Sequence, residues 1–124
     1  MAKKKILVIE DEVELANAIK TRLGLSGYEV TTANDGVKGL DKIKSEKPDL
    51  VILDLMLPKM DGHKICGLVK RDTRYSKIGI IILTAKAQEE DMRQAKELGA
   101  DAYITKPFES RVLLAKIKEL LGEG

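Results

Sequence analysis

Acidic side chains follow two apolar runs of this 124-residue sequence. Asp54 comes directly after the run at residues 50–53, and Glu10 and Asp11 follow the run at residues 6–9. Unbroken apolar runs rich in branched side chains are typical of parallel strands that are buried on both faces. In open α/β sheets, ligands bind and chemistry takes place at the carboxyl ends of such strands. The three carboxylates are therefore expected to lie close together at one edge of a sheet.

Three carboxylates in one place would repel one another. Two unit charges ~4 Å apart cost about 4 kcal/mol at an effective dielectric constant near 20. Either one carboxyl group is protonated, or a cation lies among them. Hard oxygen ligands in a small cluster suit Mg²⁺, which accepts one or two carboxylates together with phosphate oxygens. If the cluster holds a cation, its chemistry therefore indicates magnesium.

Two more strand ends supply a hydroxyl group and an amine. The apolar run at residues 79–83 ends at Thr84, and the short run at residues 102–105 leads into Lys106. An acceptor carboxylate, a divalent cation, a lysine and a hydroxyl donor are the groups that stabilise a phosphoryl group in transit. Asp54 would then attack phosphorus and hold the group as an acyl phosphate.

The elements that must position these groups alternate along the chain. Strands are predicted at residues 6–9, 28–33, 50–53, 79–83 and 102–105. Apolar residues at helical spacing lie between and after them, and the more polar second strand is expected near an edge. Asp35 and Asp61 are predicted to start the second and third helices. Five strands alternating with five helices predict an α/β fold with a five-stranded parallel sheet.

The composition is that of one globular domain covering residues 1–124. Apolar residues make up 44% and charged residues 34% of the chain, which excludes a disordered protein. The net charge of +2, with both signs interspersed, gives no argument for binding nucleic acid. No apolar run approaches the ~18 residues of a membrane span, and there is no signal-peptide pattern. Together with a single cysteine, Cys66, these features lead us to expect a cytoplasmic protein.

Four segments of the sequence resemble one known family. They are Val-Ile-Glu-Asp-Glu at residues 8–12, Leu-Asp-Leu-Met-Leu-Pro-Lys-Met-Asp-Gly at 53–62, Ile-Leu-Thr-Ala at 82–85 and Gly-Ala-Asp-Ala-Tyr-Ile-Thr-Lys-Pro-Phe at 99–108. Each segment lies at a predicted strand end, and the four occur in the family's order. The chain therefore resembles a response-regulator receiver domain of two-component signalling, of the chemotaxis-type single-domain kind, over essentially its whole length.

The resemblance implies a fold and a chemistry. The fold is a flavodoxin-like (βα)5 three-layer sandwich, with five parallel strands in the order 2-1-3-4-5. The family takes a phosphoryl group from a sensor histidine kinase or phosphotransfer protein, which implies phosphorylation of Asp54. It also implies Mg²⁺ held by Asp11, Asp54 and the backbone carbonyl of Met56, with Glu10 acting through water. Such a protein is a phosphoacceptor switch that catalyses only its own phosphotransfer and dephosphorylation, and not an enzyme acting on other substrates.

Further roles follow from the same resemblance. Lys106 is expected to contact the phosphoryl group, and the Lys106–Pro107 bond is expected to be cis. Thr84 and Tyr103 are expected to form the switch, in which the threonine hydroxyl moves toward the phosphoryl group and the tyrosine changes rotamer. Lys86, two residues beyond Thr84, either modulates the access of water to the acyl phosphate or is simply solvated.

The partner prediction rests on three positions. Where receivers of winged-helix transcription regulators tend to place charged residues for dimerisation, this chain has Met92, Ala102 and Val112. We therefore expect a monomer that signals through an unknown downstream protein, on the face formed by the fourth helix, fifth strand and fifth helix. Direct contact of this domain with nucleic acid or membrane is not expected. Val112 either belongs to this exposed surface or joins the core face of its helix.

Other interpretations of individual residues and of the whole chain compete with this one. His63, the single histidine, is expected at the surface, and Cys66 on a helix face without a redox role. A hydrolase of the haloacid-dehalogenase type would need a second acid two residues after Asp54, where Met56 stands. A flavodoxin or dinucleotide binder would need a glycine-rich loop in the place of Glu10 and its neighbour. A pseudo-receiver would lack an acid, the threonine or the lysine, and all are present here.

Overall fold

Strands and helices alternate along the chain and form one parallel sheet with helices on both faces. The computed structural model describes residues 2–123. The strands are β1 (Lys5–Ile9), β2 (Glu29–Ala33), β3 (Leu50–Leu53), β4 (Gly79–Thr84) and β5 (Ala102–Thr105). The helices are α1 (Val13–Leu25), α2 (Gly36–Glu46), α3 (Gly62–Arg71), α4 (Glu89–Glu97) and α5 (Ser110–Leu120). None of the helices in this described part of the chain is long and apolar enough to cross a lipid bilayer.

The sheet has the order β2-β1-β3-β4-β5, and every neighbouring pair is parallel. This order confirms what the family resemblance implied, and the more polar second strand lies at an edge as predicted. Ile9 at the end of β1 lies beside Leu53 at the end of β3, and Thr84 of β4 lies beside Thr105 of β5. The residues that follow these strands therefore meet at the carboxyl edge of the sheet.

Two apolar clusters, one on each face of the sheet, form the core. On one face, strand residues such as Leu7 and Val51 pack with α2, α3 and α4. On the other face, Val8 and Ile52 pack with α1 and α5. Because successive side chains of a strand point to opposite faces, the unbroken apolar runs supply both clusters at once. The sheet is thus the middle of three layers, as predicted.

Side-chain caps start the second and third helices at the predicted residues. The Asp35 carboxylate accepts from the N–H of Lys38 at 2.8 Å, and the Asp61 carboxylate accepts from the N–H of His63 at 2.7 Å. Such caps satisfy backbone donors that the first turn of a helix leaves free. The turn chemistry read from the sequence therefore gave the correct starts for both helices.

One apolar residue of α2 departs from the predicted pattern. Val37 is 42% exposed, although helical spacing places it with Leu40 and Ile43. Gly39 takes a buried position instead, and a Cβ atom there would clash with the side chain of Ile9 in β1. The backbone of α2 therefore packs directly against the sheet at this point, and Val37 lies on the solvent side.

Two oppositely charged side chains lie at the other, amino edge of the sheet. Nζ of Lys70 in α3 is 2.9 Å from Oδ2 of Asp101. It also donates to the carbonyl oxygens of Ser76 at 3.3 Å and Ile78 at 2.7 Å. The same Asp101 oxygen accepts from the N–H of Ile80 at 2.8 Å. These contacts join α3 to the starts of β4 and β5, and we call Lys70 and Asp101 the amino-edge pair.

Candidate functional site

The Asp54 carboxyl group lies at the carboxyl end of the central strand β3. The backbone N–H of Asp54 donates to the carbonyl oxygen of Ile9 at 3.1 Å, which continues the pairing of β3 with β1. The residue is only 5% exposed. Its Oδ1 accepts from the N–H of Met56 at 3.0 Å, and its Oδ2 lies 2.9 Å from Nζ of Lys106. Backbone pairing and two donors therefore fix the orientation of the carboxylate.

Two more carboxylates lie beside it, directly after strand β1. Glu10 is buried, and its Oε1 is 2.6 Å from Nζ of Lys106 while its Oε2 accepts from the N–H of Glu12 at 3.1 Å. Asp11 is exposed. Glu10, Asp11 and Asp54 each offer an oxygen atom, and these atoms all lie within 4.8 Å of one another. The structure therefore brings the three predicted acids together, and we call them the acidic cluster.

One lysine faces the acidic cluster. Burial raises the pKa of the Glu10 carboxyl group above its ordinary value, although the hydrogen bond from Lys106 opposes this rise. Burial acts to lower the pKa of Lys106, but its hydrogen bonds to Glu10 and Asp54 outweigh burial and raise that pKa. Lys106 therefore keeps its positive charge at neutral pH, and it alone does not balance three ionised carboxylates.

The donor set of the acidic cluster fits a hard divalent cation. Carboxylate oxygens are the ligands that Mg²⁺ prefers, and the exposed Asp11 leaves one side of the cluster open to solvent. A cation would balance the negative charge of the acidic cluster that Lys106 does not neutralise. Met56 contributes its N–H to Asp54, and its side chain is exposed. The cluster could thus hold a metal ion, and the role of the Met56 carbonyl oxygen stays a prediction.

Thr84 and Tyr103, the predicted switch residues, both contact the backbone of one loop residue. Thr84 is fully buried, and its Oγ1 accepts from the N–H of Lys86 at 3.4 Å. The half-buried Tyr103 donates its hydroxyl hydrogen to the carbonyl oxygen of Lys86 at 2.7 Å. Burial, together with the negative charges of Asp91 and Asp54, raises the pKa of Tyr103, so the phenol keeps its proton. Sequence reasoning missed this role of Lys86 because it concerns backbone atoms.

Lys106 enters the site from the end of β5. Its N–H donates to the carbonyl oxygen of Thr84 at 2.8 Å, which extends the pairing of β5 with β4. The Lys106–Pro107 peptide bond is cis, as the resemblance implied. From this position the side chain reaches past β4 to the carboxylates that follow β3 and β1. The structure therefore places Lys106 where the sequence predicted it.

Two glycines let the loop after Asp54 fold closely against its surroundings. Gly62 starts α3, and a Cβ atom there would clash with the carbonyl oxygen of Asp54. Gly36 starts α2, and a Cβ atom there would clash with the carbonyl oxygen of Met60 in the loop. The N–H of Gly36 also donates to the carbonyl oxygen of Pro58 at 3.1 Å. These contacts join elements that are distant in sequence, so no local pattern in the sequence indicated them.

Known proteins share this combination of sequence and fold. Residues 6–118 match the family model of the response regulator receiver domain. The chain belongs to the response regulator receiver family. Phosphorylation-based signalling is the function of this family, and its receiver domains interact with histidine kinases or phosphotransfer proteins. A receiver domain is a switch and not an enzyme of the usual kind.

Relatives of this receiver domain include longer transcriptional regulators. It is 46% identical over 118 residues to the alkaline phosphatase synthesis transcriptional regulatory protein PhoP of Bacillus subtilis, covering 95% of this chain and 48% of that protein. It is 45% identical over 119 residues to the probable transcriptional regulator ycf27 of Cyanophora paradoxa, covering 96% and 48%. The chain thus spans about half the length of these relatives. The CheY-like response regulator receiver domain protein from Methanospirillum hungatei JF-1 has a similar structure, with a TM-score of 0.93, 35% identity and coverage of 98% of this chain and 95% of that one.

The receiver domain buries its single histidine, so the prediction of a surface histidine is wrong. His63 is only 8% exposed. Its ring lies between α3 and α4, where Nδ1 is 3.4 Å from Oδ1 of Asp61 and Nε2 is 3.4 Å from the carbonyl oxygen of Asp91. The first turn of α3 faces α4 at this point. The residues of a single helical turn do not indicate which side of that turn a neighbouring helix will cover.

The single cysteine lies in a helix, α3, as predicted, and it is on the face of that helix that packs inward. Cys66 is fully buried. Burial is the main cause that raises the pKa of its thiol to about 11, while the charge of Lys70 acts to lower that pKa and the charge of Asp101 acts to raise it. The prediction that the thiol has no redox role is compatible with its burial.

The three positions of the predicted output surface can be located on the receiver domain. Met92 on α4 is 37% exposed, Val112 on α5 is 46% exposed, and Ala102 on β5 is partly exposed. Leu113 and Ile117 supply the buried positions of α5. Of the two alternatives for Val112, the exposed one is therefore correct. The face formed by α4, β5 and α5 carries apolar side chains at these places.

Proposed function

We propose that this receiver domain, residues 1–124, accepts a phosphoryl group on Asp54 from a sensor histidine kinase or a phosphotransfer protein. One observation carries the proposal: the buried Asp54 carboxylate lies at the end of β3, bonded to Lys106 and close to Glu10 and Asp11. Membership of the receiver family supports it, since phosphorylation-based signalling is the family function. Asp11 is exposed, and we propose that a phosphoryl donor approaches the acidic cluster from this side.

Mg²⁺ is the proposed cofactor of the transfer. The carboxylates of Asp11 and Asp54 and the backbone carbonyl of Met56 would hold the ion, with Glu10 acting through a water molecule. The bound ion would supply positive charge to the oxygens of the phosphoryl group during transfer. The excess of carboxylates over positive charge at the site supports this assignment.

The chain's own residues perform the transfer. A carboxylate oxygen of Asp54 attacks phosphorus and forms an O–P bond, while the N–P bond of the donor phosphohistidine breaks and the imidazole leaves with the electron pair. Lys106, already 2.9 Å from Asp54 Oδ2, neutralises negative charge on the transferred group. Thr84 donates its hydroxyl hydrogen to a phosphoryl oxygen. Attack of water on phosphorus then breaks the O–P bond, releases inorganic phosphate and restores the Asp54 carboxylate.

The proposed signal leaves the domain through α4, β5 and α5. When Thr84 turns its hydroxyl toward the phosphoryl group, its contact with the N–H of Lys86 changes. Tyr103 is bonded to the carbonyl oxygen of the same residue and changes rotamer in response. The altered surface around Met92 and Val112 then binds an unknown downstream protein, while the domain itself stays monomeric. We place the domain in the cytoplasm. We assign it no direct contact with nucleic acid or membrane.

Asp54→Asn tests the phosphoacceptor directly. Incubation with acetyl phosphate and Mg²⁺ is expected to add one phosphate group to the wild-type protein and none to the variant, because the amide of asparagine forms no acyl phosphate. Asp49→Asn is the matched control, since Asp49 lies at the amino end of the same strand and accepts from the N–H of Lys5. This control is expected to be phosphorylated like the wild type. Mass spectrometry of the intact proteins gives the measurement.

Two results would contradict the proposal. Phosphate that persists on Asp54→Asn, in a variant whose circular dichroism spectrum is unchanged, would show that another residue is the acceptor. Transfer to the wild-type protein that continues at an equal rate in EDTA would remove the proposed metal ion from the reaction.

A further inference from the structure

His63 joins helix α3 to helix α4 from a buried position. Its Nε2 atom lies 3.4 Å from the carbonyl oxygen of Asp91 in the first turn of α4. Its Nδ1 atom lies 3.4 Å from Oδ1 of Asp61, the oxygen that also caps α3 by accepting from the N–H of His63. The ring therefore stands between one oxygen atom of α4 and one at the start of α3.

Both oxygen atoms that face the imidazole ring are hydrogen-bond acceptors. A neutral imidazole has one N–H group and can donate to one of them, whereas the doubly protonated ring donates to both. The observed N···O separations of 3.4 Å exceed the range of about 2.7–3.2 Å that is typical of N–H···O bonds. The Asp61 carboxylate is the stronger of the two acceptors, so we assign the single N–H of the neutral ring to Nδ1, and a second proton adds a donor on Nε2 that faces the Asp91 carbonyl oxygen of α4.

Apolar burial anchors helix α4 near its carboxyl end. Ala95 is its buried residue, and Leu98, directly after the helix, packs against the same core cluster. The remaining residues of α4, apart from Met92, are polar or charged. The contact with His63 thus acts on the first turn, which is the end of α4 with the least apolar attachment.

We propose that proton uptake by His63 fastens the first turn of α4 to α3, so that this receiver domain responds to pH on its α4 face. Histidine is the side chain that ordinarily changes its charge between about pH 5 and pH 8. The link to signalling rests on the proposed function, in which α4 belongs to the output surface. The fastening itself is a property of the unphosphorylated domain and can be tested without phosphate.

Charged groups of both signs surround the ring. The cleft between the two helices is lined by Asp61, Lys64 and Arg71 around α3, Lys86 of the loop after β4, and Asp91 of α4. The two carboxylates attract the imidazolium charge, and the three basic side chains oppose it. Tyr103 of β5 keeps its proton throughout this pH range because burial raises its pKa.

Amide hydrogen exchange measured by NMR on the unphosphorylated full chain tests the proposal. Exchange of the amides at residues 92–96, corrected for the intrinsic effect of pH, is expected to slow on the order of fivefold between about pH 8 and pH 5, since a bond to a charged donor is stronger. The change should have the same midpoint as the titration of the His63 ring signals. Amides of α1, on the other side of the sheet, should show no such change.

His63→Gln is the matched variant, because glutamine can still donate to the Asp91 carbonyl oxygen but does not titrate in this range. Its corrected α4 exchange is expected to be independent of pH. An α4 response that persists in His63→Gln, or one whose midpoint in the wild type differs from that of the His63 ring, would overturn the proposal. If the variant does not fold, the wild-type protein still tests the proposal. The pH midpoint of α4 amide exchange must then agree with the midpoint of the His63 ring signals. Neither result bears on phosphorylation of Asp54.

Discussion

Charged side chains lie at both the amino edge and the carboxyl edge of the sheet. The two groups differ in whether their charges balance. At the amino edge, the positive charge of Lys70 meets the negative charge of Asp101, and both also bond to backbone groups. At the carboxyl edge, Lys106 faces the carboxylates of Glu10 and Asp54 while a third carboxylate lies close by. One group is balanced in charge, and the other has an excess of negative charge.

The difference separates a structural ion pair from a binding site. A partly buried pair whose charges balance holds three elements together and carries no excess charge that would attract a ligand. Repulsion within a cluster that has excess charge lowers the free energy of unfolding. Binding of an ion of the opposite sign raises it again. Burial alone would not distinguish the two, because Lys70 and Lys106 have similarly buried side chains, at 14% and 15% exposed.

The largest expected difference between the edges concerns phosphotransfer. Lys106→Met removes the ammonium group from the transferred phosphoryl group, and the rate of Asp54 phosphorylation by acetyl phosphate should fall about a hundredfold or more. Lys70→Met should leave the rate per folded molecule unchanged, because Lys70 lies at the opposite edge. Mass spectrometry of quenched time points measures both rates, and circular dichroism gives the folded fraction. Equal losses in the two variants would abolish the distinction between the edges.

Metal binding should separate the edges next. Asp11→Asn is expected to weaken Mg²⁺ binding about tenfold or more, since even the loss of an outer partner of a metal ligand costs about ten- to a hundredfold. Asp101→Asn should bind Mg²⁺ like the wild type. Isothermal titration calorimetry measures the affinities, and Mg²⁺ should raise the melting temperature of the wild type and of Asp101→Asn. A wild-type melting temperature that Mg²⁺ leaves unchanged would argue against the site.

For stability, we expect the larger loss at the amino edge of the sheet and not at the carboxyl edge. Lys70→Met leaves the charge of Asp101 without its partner and two carbonyl oxygens without a donor. We expect the free energy of unfolding to fall by about 2 kcal/mol, less than for a fully buried pair because the Asp101 side chain is 33% exposed. Asp54→Asn removes one of three like charges and should be neutral or stabilising. Urea denaturation in EDTA measures the free energy of unfolding of both variants. A similar decrease in both would show that the carboxylates of the acidic cluster do not repel one another appreciably.

The smallest effect is expected at Cys66, which lies near the amino-edge pair. Burial is the main cause that raises the pKa of its thiol to about 11, and the Asp101 charge adds to the rise. The folded chain therefore keeps this proton up to high pH, and the stability that the protonated thiol contributes is lost as the pH rises through about 11. Asp101→Asn should lower that pKa slightly and speed alkylation by iodoacetamide less than about threefold. A much larger acceleration would show that charge outweighs burial there.

The carboxyl edge could be predicted from sequence because parallel strands share one direction. Apolar runs marked the ends of β1, β3 and β4, and that shared direction placed Glu10, Asp54 and Thr84 at one edge. The amino-edge pair follows no such rule. Lys70 lies in a helix and Asp101 before a strand, and the chain has 22 basic and 20 acidic residues among which a pair could form. Which two of them meet depends on how α3 packs.

Contacts between helices escaped prediction for the same reason. The burial of His63 depends on where α4 lies, and the exposure of Val37 depends on how closely α2 approaches β1. The contacts of Thr84 and Tyr103 with Lys86 are made to backbone atoms of a loop, which no side-chain pattern describes. Sequence periodicity therefore gives the elements and their order, whereas distances between elements come only from the packed structure.

The close contacts of Gly36 and Gly62 bear on how new versions of this domain can arise. The loop after Asp54 is shaped by backbone packing that a single added methyl group would disturb. By contrast, Met56 and Lys86 at the rim have exposed or partly exposed side chains that can be replaced without moving that backbone. Substitutions at these rim positions can therefore change the surface around Asp54 without disturbing the backbone packing that positions its carboxylate.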